Sequence, residues 1–314
     1  MIPFWLRRVL IAATCAGAAL LAGCGSGTIE SALRPARFIS FGDGISDVGA
    51  RRLTVNDGTV NIWAQQLASR YGLPLASSAS GGLSFARAHG RITLQPDAIG
   101  GNAPSVRQQI DTFLATNSLA ASDVVVLNGG VSDIVAQMAA VLAGTQTEAQ
   151  MIANVRQAGR DMGAQVRRVV QAGGRFVILT GTYNLGTSPW ANAIGRTVFL
   201  SDVSRFFNEE MLISIVDLGS NVLYIDALFY YNLVTASPTA FGLQNAVAVA
   251  CNSVDAGVGI GTGTGQVNSA NCTPGTIVPG IDYAQHVFAD RVYFTPAAQR
   301  LLGDFAYSRV IERF

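Results

Sequence analysis

Apolar positions along the chain fall into short runs that alternate with longer amphipathic stretches. Residues 37–41 form a short apolar run that stops at Gly42-Asp43-Gly44. Residues 62–71 place Ile62, Leu67 and Tyr71 at helical spacing, and residues 106–114 repeat the pattern with Val106, Ile110, Phe113 and Leu114. Residues 123–127 are Asp-Val-Val-Val-Leu, a β-branched run of the kind that lies buried on both faces in a parallel sheet, and Gly129-Gly130 follows it. A long amphipathic helix is predicted over 147–172, closed by Gly173-Gly174, and a third strand over 175–179. A helix over 198–216, a fourth strand over 221–225 and a closing helix over 295–310, with Pro296 in its first turn, complete the pattern.

Short buried strands alternating with helices predict a parallel sheet covered on both faces. Right-handed crossovers then give an α/β fold, a three-layer α/β/α sandwich with a flavodoxin-like parallel sheet. Chemistry in such sheets gathers at the carboxyl ends of the strands. The turn at 42–44, the turn at 129–130 and the loop at 288–295 should therefore converge in space.

The first residues follow a different logic. Arg7 and Arg8 precede an uncharged apolar run over 9–21, shorter than the roughly 20 residues that span a bilayer. The run ends in Leu21-Ala22-Gly23-Cys24, which together with the positive start reads as an export signal. The cysteine after Leu-Ala-Gly resembles a bacterial lipobox, which implies a signal over 1–23 and a lipid on Cys24. Gly25 after that cysteine resembles an outer-membrane sorting pattern. Residues 24–36 then read as a short polar tether, and 37–314 as the folded domain. Export also bears on Cys251 and Cys272, which flank a stretch rich in Gly, Thr, Asn and Ser. In an oxidising compartment they are expected to pair and pinch that loop at its base.

Hydrophobic residues make up 49% of the chain and charged residues 13%, which allows a large core. Net charge is +1, every basic residue is Arg, and no basic stripe or tail exists, so nucleic acid is not expected as a partner. No spaced His/Cys/Asp/Glu set suggests a metal, and no cofactor is expected. The glycines over 257–265 lack a following Lys-Ser/Thr, so a phosphate-loop reading fails.

Four segments carry a family resemblance. Residues 41–49, Phe-Gly-Asp-Gly-Ile-Ser-Asp-Val-Gly, resemble the first block of the SGNH/GDSL esterase–lipase family, Phe-Gly-Asp-Ser-Leu-Ser-Asp-x-Gly, with Gly44 on the nucleophilic serine. The segment starting Gly81-Gly82-Leu83-Ser84 resembles the family's Gly-Gly-x-Asn-x-Ala-x-Gly-Gly, with Ala88 on the oxyanion glycine. Gly130-Val131-Ser132-Asp133 resembles Gly-x-Asn-Asp, with Ser132 on the oxyanion asparagine. Residues 290–295 resemble Asp-x-x-His-Pro-Thr, keeping Asp290 but placing Tyr293 on the His and Phe294 on the Pro. The likeness runs from about residue 37 to 305. It implies the SGNH hydrolase fold and a family reaction of ester hydrolysis through a serine ester.

That reaction needs a hydroxyl nucleophile, a base and oxyanion donors. Gly44 has no side chain, although its backbone N–H could still donate. Tyr293, with a reference pKa near ~10, is protonated at neutral pH and a poor base. Asp290 has no imidazole to orient, and Ser132 offers a hydroxyl where an amide should be. Possible rescues are Ser46 or Ser132 as nucleophile with His89 as base. Ser46 is more simply expected to cap a helix after the turn. His286 lies on the wrong side of Asp290, and Asp43 and Asp47 read as turn and cap residues. The expected protein is thus an envelope lipoprotein, anchored to the membrane through Cys24. It would have impaired catalysis and bind an acyl or glycan ester or an envelope protein. An esterase with a rearranged site and a purely structural envelope protein are the alternatives.

Overall fold

The computed structural model describes residues 32–314. The proposed signal over 1–23 and Cys24 lie outside the described residues. Strand β1 (Phe38–Phe41) is buried along its whole length and leads into the turn carrying Gly44. Helix α1 (Trp63–Ser69) and helix α2 (Val106–Thr116) follow, the latter opened by a reciprocal capping box between Ser105 and Gln108. Strand β2 (Val124–Asn128) is Val-Val-Val-Leu-Asn and fully buried, as a central parallel strand should be. Helix α3 (Val131–Leu142) starts three residues later, and α4 (Glu148–Gln171) starts from a second capping box, Thr147 with Gln150. Helix α4 buries Met151, Val155, Ala158, Met162, Val166 and Val169, a stripe at helical spacing.

The second half continues with β3 (Phe176–Thr180), the short α5 (Pro189–Ala193), α6 (Thr197–Ile213) and β4 (Val222–Tyr224). Then come α7 (Ala227–Ala236), β5 (Asn245–Val249), a hairpin of β6 (Val254–Asp255) with β7 (Gln266–Val267), β8 (His286–Phe288) and α8 (Pro296–Arg313). The main sheet runs β1-β2-β3-β4, all parallel and in register from Phe38 beside Val124 onward. Residues 83–85 pair with the outer edge of β1, with Ser40 and Ser84 bridged in parallel. Counting that edge segment, which follows β1 in the chain but lies outside it, the order is the flavodoxin-like 2-1-3-4-5. A separate parallel pair, β5 with β8, carries the loop that precedes α8.

Helices cover both faces. Helices α4 and α6 pack against each other, and α1 packs on α8. The architecture is the three-layer α/β/α sandwich expected. Leu33 is buried in the core and the Ala36 N–H donates to Ser122 O, so the packed body begins by Leu33 rather than after a tether ending at residue 36. Cys251 and Cys272 form a disulfide that closes the segment holding β6 and β7. Among the described residues no helix is long and apolar enough to cross a membrane.

Candidate active site

Three chain segments meet at the carboxyl end of the sheet. The first is the turn after β1. Asp43 is fully buried there, its Oδ1 accepting the Ile45 N–H at 3.1 Å and the Asn128 amide at 2.6 Å. The side chain of Asp43 thus ties this turn to the second segment, the end of β2 and the start of α3. Burial pushes the Asp43 carboxyl above its ordinary value, opposed by the Ile45 and Asn128 hydrogen bonds and by the N–H groups of Ser132 and Val131 at the start of α3. Gly42 is required by close approach, because a Cβ there would lie 1.8 Å from Asn128 Oδ1.

The third segment is the loop after β8. Asp290 accepts the N–H of Val292 at 2.8 Å and of Tyr293 at 2.7 Å on one oxygen, and the Ser269 N–H at 3.1 Å on the other. It folds the loop on itself and joins it to the disulfide-closed segment. Burial raises the Asp290 carboxyl above its ordinary range, against those hydrogen bonds. The loop delivers the Tyr293 ring onto the first turn. A Cβ on Gly44 would lie 2.9 Å from Tyr293 Cε1, 3.2 Å from Cζ and 2.5 Å from Leu53 Cδ1. Tyr293 is 1% exposed, and burial drives its phenol well above the ordinary tyrosine range, with Asp43 and Asp290 adding to the effect. The Ser132 hydroxyl approaches closely enough to favour the phenolate, yet falls short of hydrogen-bond geometry and has no partner.

A family model for GDSL-like Lipase/Acylhydrolase matches residues 38–305. The chain belongs to the GDSL-like lipase/acylhydrolase family. It is also similar to an "Uncharacterized protein in trpE-trpG intergenic region" of Pseudomonas putida, with 28% identity over 159 residues, 50% of this chain and 25% of that protein. The chain spans about a quarter of the length of that curated relative. A solved crystal structure aligns over 89% of this chain and 97% of its own, at 13% identity and a TM-score of 0.47.

On the GDSL motifs quoted above, the serine position is Gly44 and the histidine position Tyr293, and the two are in contact across the turn. The Ala88 N–H, at the oxyanion glycine, donates to Asp47 Oδ2 at 2.8 Å and is committed there. His89 falls on the last glycine of the same GDSL block and has φ +65°, the left-handed region that a glycine enters without strain. Its Nδ1 is buried without a partner, and burial holds its pKa below the ordinary histidine value, against the pull of Asp97. His286 binds Asp282 O through Nδ1 at 2.9 Å. Among the described residues neither imidazole hydrogen-bonds a serine hydroxyl.

Ser46 corrects one expectation. No helix follows the first turn, so Ser46 caps none; its Oγ accepts the Trp63 indole N–H at 2.9 Å and is fully buried. Asp47 does serve a local turn, its Oδ1 accepting the Gly49 N–H at 2.8 Å. Leu53, which shares the space over Gly44 with Tyr293, was invisible to motif reasoning because it lies in no quoted block. Thr54 beside it donates to Phe294 O at 2.8 Å and pins the two loops together.

Proposed function

We propose that this GDSL-family chain is a non-catalytic lipoprotein of the bacterial envelope, anchored through a lipid on Cys24, whose folded domain binds a ligand or partner instead of turning over an ester. The supporting observation is the occupation of the serine-side-chain space at Gly44 by Tyr293 and Leu53. A missing hydroxyl alone could be replaced by a neighbouring group. Here even the first side-chain atom at position 44 would crowd Leu53 and Tyr293. An oxyanion needs two or more donors aimed at one point, and the Ala88 donor is already turned to Asp47. The lipid and the outer-membrane location rest on the residue pattern up to Gly25.

The test has two parts. The purified chain is assayed for aryl acetate hydrolysis and for labelling by a serine-directed phosphonate, each against a heat-treated control. Neither turnover nor labelling is expected. Robust turnover abolished by Ser46→Ala or His89→Ala would establish a rearranged esterase in its place. For the anchor, Cys24→Ser should move the protein from the membrane fraction to a soluble or unprocessed form; unchanged fractionation would refute it.

A further inference from the structure

We propose that the cleft beside the closed turn binds an oxyanion, phosphate or carboxylate, carried on a small polar molecule. The inference deepens the reading of this chain as a binder and rests on it. The cleft has a volume of about 490 Å³, in the range of small-molecule sites. It opens where the chain leaves the Gly44 turn, between residues 47–52 and residues 75–80, with Gln65 of α1 and Arg87 completing the wall.

Three arginines line it, Arg51, Arg52 and Arg87, with Asp47 as the single carboxylate of the lining. Asp47 is 6% exposed, and both of its oxygens are spent on the N–H groups of Gly49 and Ala88. Asp47 and Asp57 are the carboxylates close enough to act on Arg52, and Asp47 also acts on Arg87. Three guanidinium groups and one carboxylate thus line the cleft. Among the described residues none of the three arginines has a carboxylate within ion-pair distance, although eleven such pairs occur elsewhere.

Donor accounting sharpens the point. Arg52 spends Nε on Gly49 O and Nη1 on Thr59 O and Asn61, which leaves its Nη2 donors unused. Arg87 is held by Ala86 O and Ser84 O through Nη1 and by Ser78 through Nη2, which leaves Nε and one Nη2 hydrogen. The Arg51 side chain hydrogen-bonds nothing among the described residues. Two guanidinium planes fixed by neighbouring carbonyls and hydroxyls, with spare N–H groups, are preorganised for planar or tetrahedral oxyanions. The rest of the wall, with Leu75 and Ala76 beside Ser77 and Ser80, suits a sugar ring or a short headgroup.

Calorimetric titration of the full chain in detergent tests this with inorganic phosphate, glucose 6-phosphate, glycerol 3-phosphate and glucuronate. Glucose, glycerol and chloride at matched ionic strength are the controls. Saturable binding of at least one anion is expected, weakened about tenfold by Arg51→Gln, as for loss of one charge-assisted hydrogen bond. Preference for glucose 6-phosphate or glucuronate would assign an acidic sugar, and preference for glycerol 3-phosphate a lipid headgroup. Arg87→Gln should abolish binding; because Arg87 also braces its loop, Arg51→Gln is the decisive variant, with unfolding curves for both. Heats no larger than the controls, or equal affinity in Arg51→Gln, would overturn the proposal. Aryl acetate turnover by the same samples reports separately on the non-catalytic reading. Turnover with anion binding intact would sink that reading alone, and an inert chain that binds no anion would sink the cleft alone.

Discussion

Gly44→Ser is the substitution that restores the family's nucleophile on paper, and the packing around it sets its cost. The new Cβ would stand 2.5 Å from Leu53 Cδ1 and 2.9 Å from Tyr293 Cε1, and the hydroxyl would add a further atom to the same space. Leu53 Cδ1 is the tip of a branched side chain and can swing. The Tyr293 ring has less freedom. Its backbone N–H is held by Asp290 at 2.7 Å, and the next residue, Phe294, is stacked on Tyr231 with ring centroids 4.0 Å apart. Overpacking of this kind costs about 1–3 kcal/mol, which for a domain of this size lowers Tm by roughly 2–10 °C. Tyr293→His withdraws the ring from the new Cβ, so Gly44→Ser should cost at least about 1 kcal/mol less in that background. Urea or thermal unfolding of the wild type, both single variants and the double variant gives the coupling directly. Additivity within about 0.5 kcal/mol, or a neutral Gly44→Ser, would refute the claim that Tyr293 occupies the serine's space.

Gly44→Ser alone should remain inert toward aryl acetates, because a hydroxyl without a base stays protonated. Gly44→Ser with Tyr293→His should give weak turnover, and adding Ser132→Asn should raise it on the order of 10²-fold, the usual worth of an oxyanion donor; equal rates for the two would show that Ser132 is not aimed at the reacting oxygen. Replacing Cys251 and Cys272 by Ala should cost about 3 kcal/mol in the chain-entropy model for a 21-residue separation, and intact mass with and without reductant confirms the bond first. Burial lifts Asp133 to about 6 from its ordinary 3.8, with Arg91 opposing. A carboxyl whose pKa is raised on folding contributes stability that is complete below its unfolded value and lost as pH rises through the folded one, so stability should fall by up to about 3 kcal/mol as pH rises from about 4 to about 6, and the melting temperature with it. Asp133→Asn should make that slope shallower, the raised Asp43 and Asp290 keeping a part of the same sign, and a slope of opposite sign in the wild type would contradict the assignment.

The regular elements were legible where local chemistry agreed with burial. The long helix α4 runs from Glu148 to Gln171, within a residue of the predicted 147–172, because its capping box and the glycine pair mark both ends. Strand β2 was expected to start at Asp123, but that side chain turns to pair with Arg37 and the ladder begins at Val124. Helix α3 was overlooked because its first residues read as a motif and its apolar content is nearly continuous, which blurs helical periodicity. Helix α7 and the β5–β8 pair were missed for a related reason: Phe229 and Leu233 are exposed, so the helix shows no clean apolar stripe, and β8 has three residues. At the site, Gly44 and Tyr293 stood out as departures from a pattern. That one fills the space of the other is a property of packing between residues far apart in sequence, and no spacing rule could have shown it.

The substitutions around the turn act together rather than as separate losses. Phe294, on the proline position, lies against Tyr183 at 4.6 Å, Phe288 at 5.5 Å and Tyr231 at 4.0 Å between ring centroids. The hydroxyl of Tyr183 is anchored on Val292 O inside the loop and that of Tyr231 on Ala298 O in α8, so buried aromatics hold the loop and the helix that follows it. A loop held this way presents Tyr293 to Gly44 as a fixed wedge. Glycine at 44 is then the residue that fits beneath the ring, since any side chain would have to displace it. Asp290 folds the loop, with both oxygens engaged. Restoring a side chain at Gly44 alone therefore works against the seat of Tyr293. The proposed loss of acyl transfer would then rest on packing at this one turn, within a family fold that is otherwise kept.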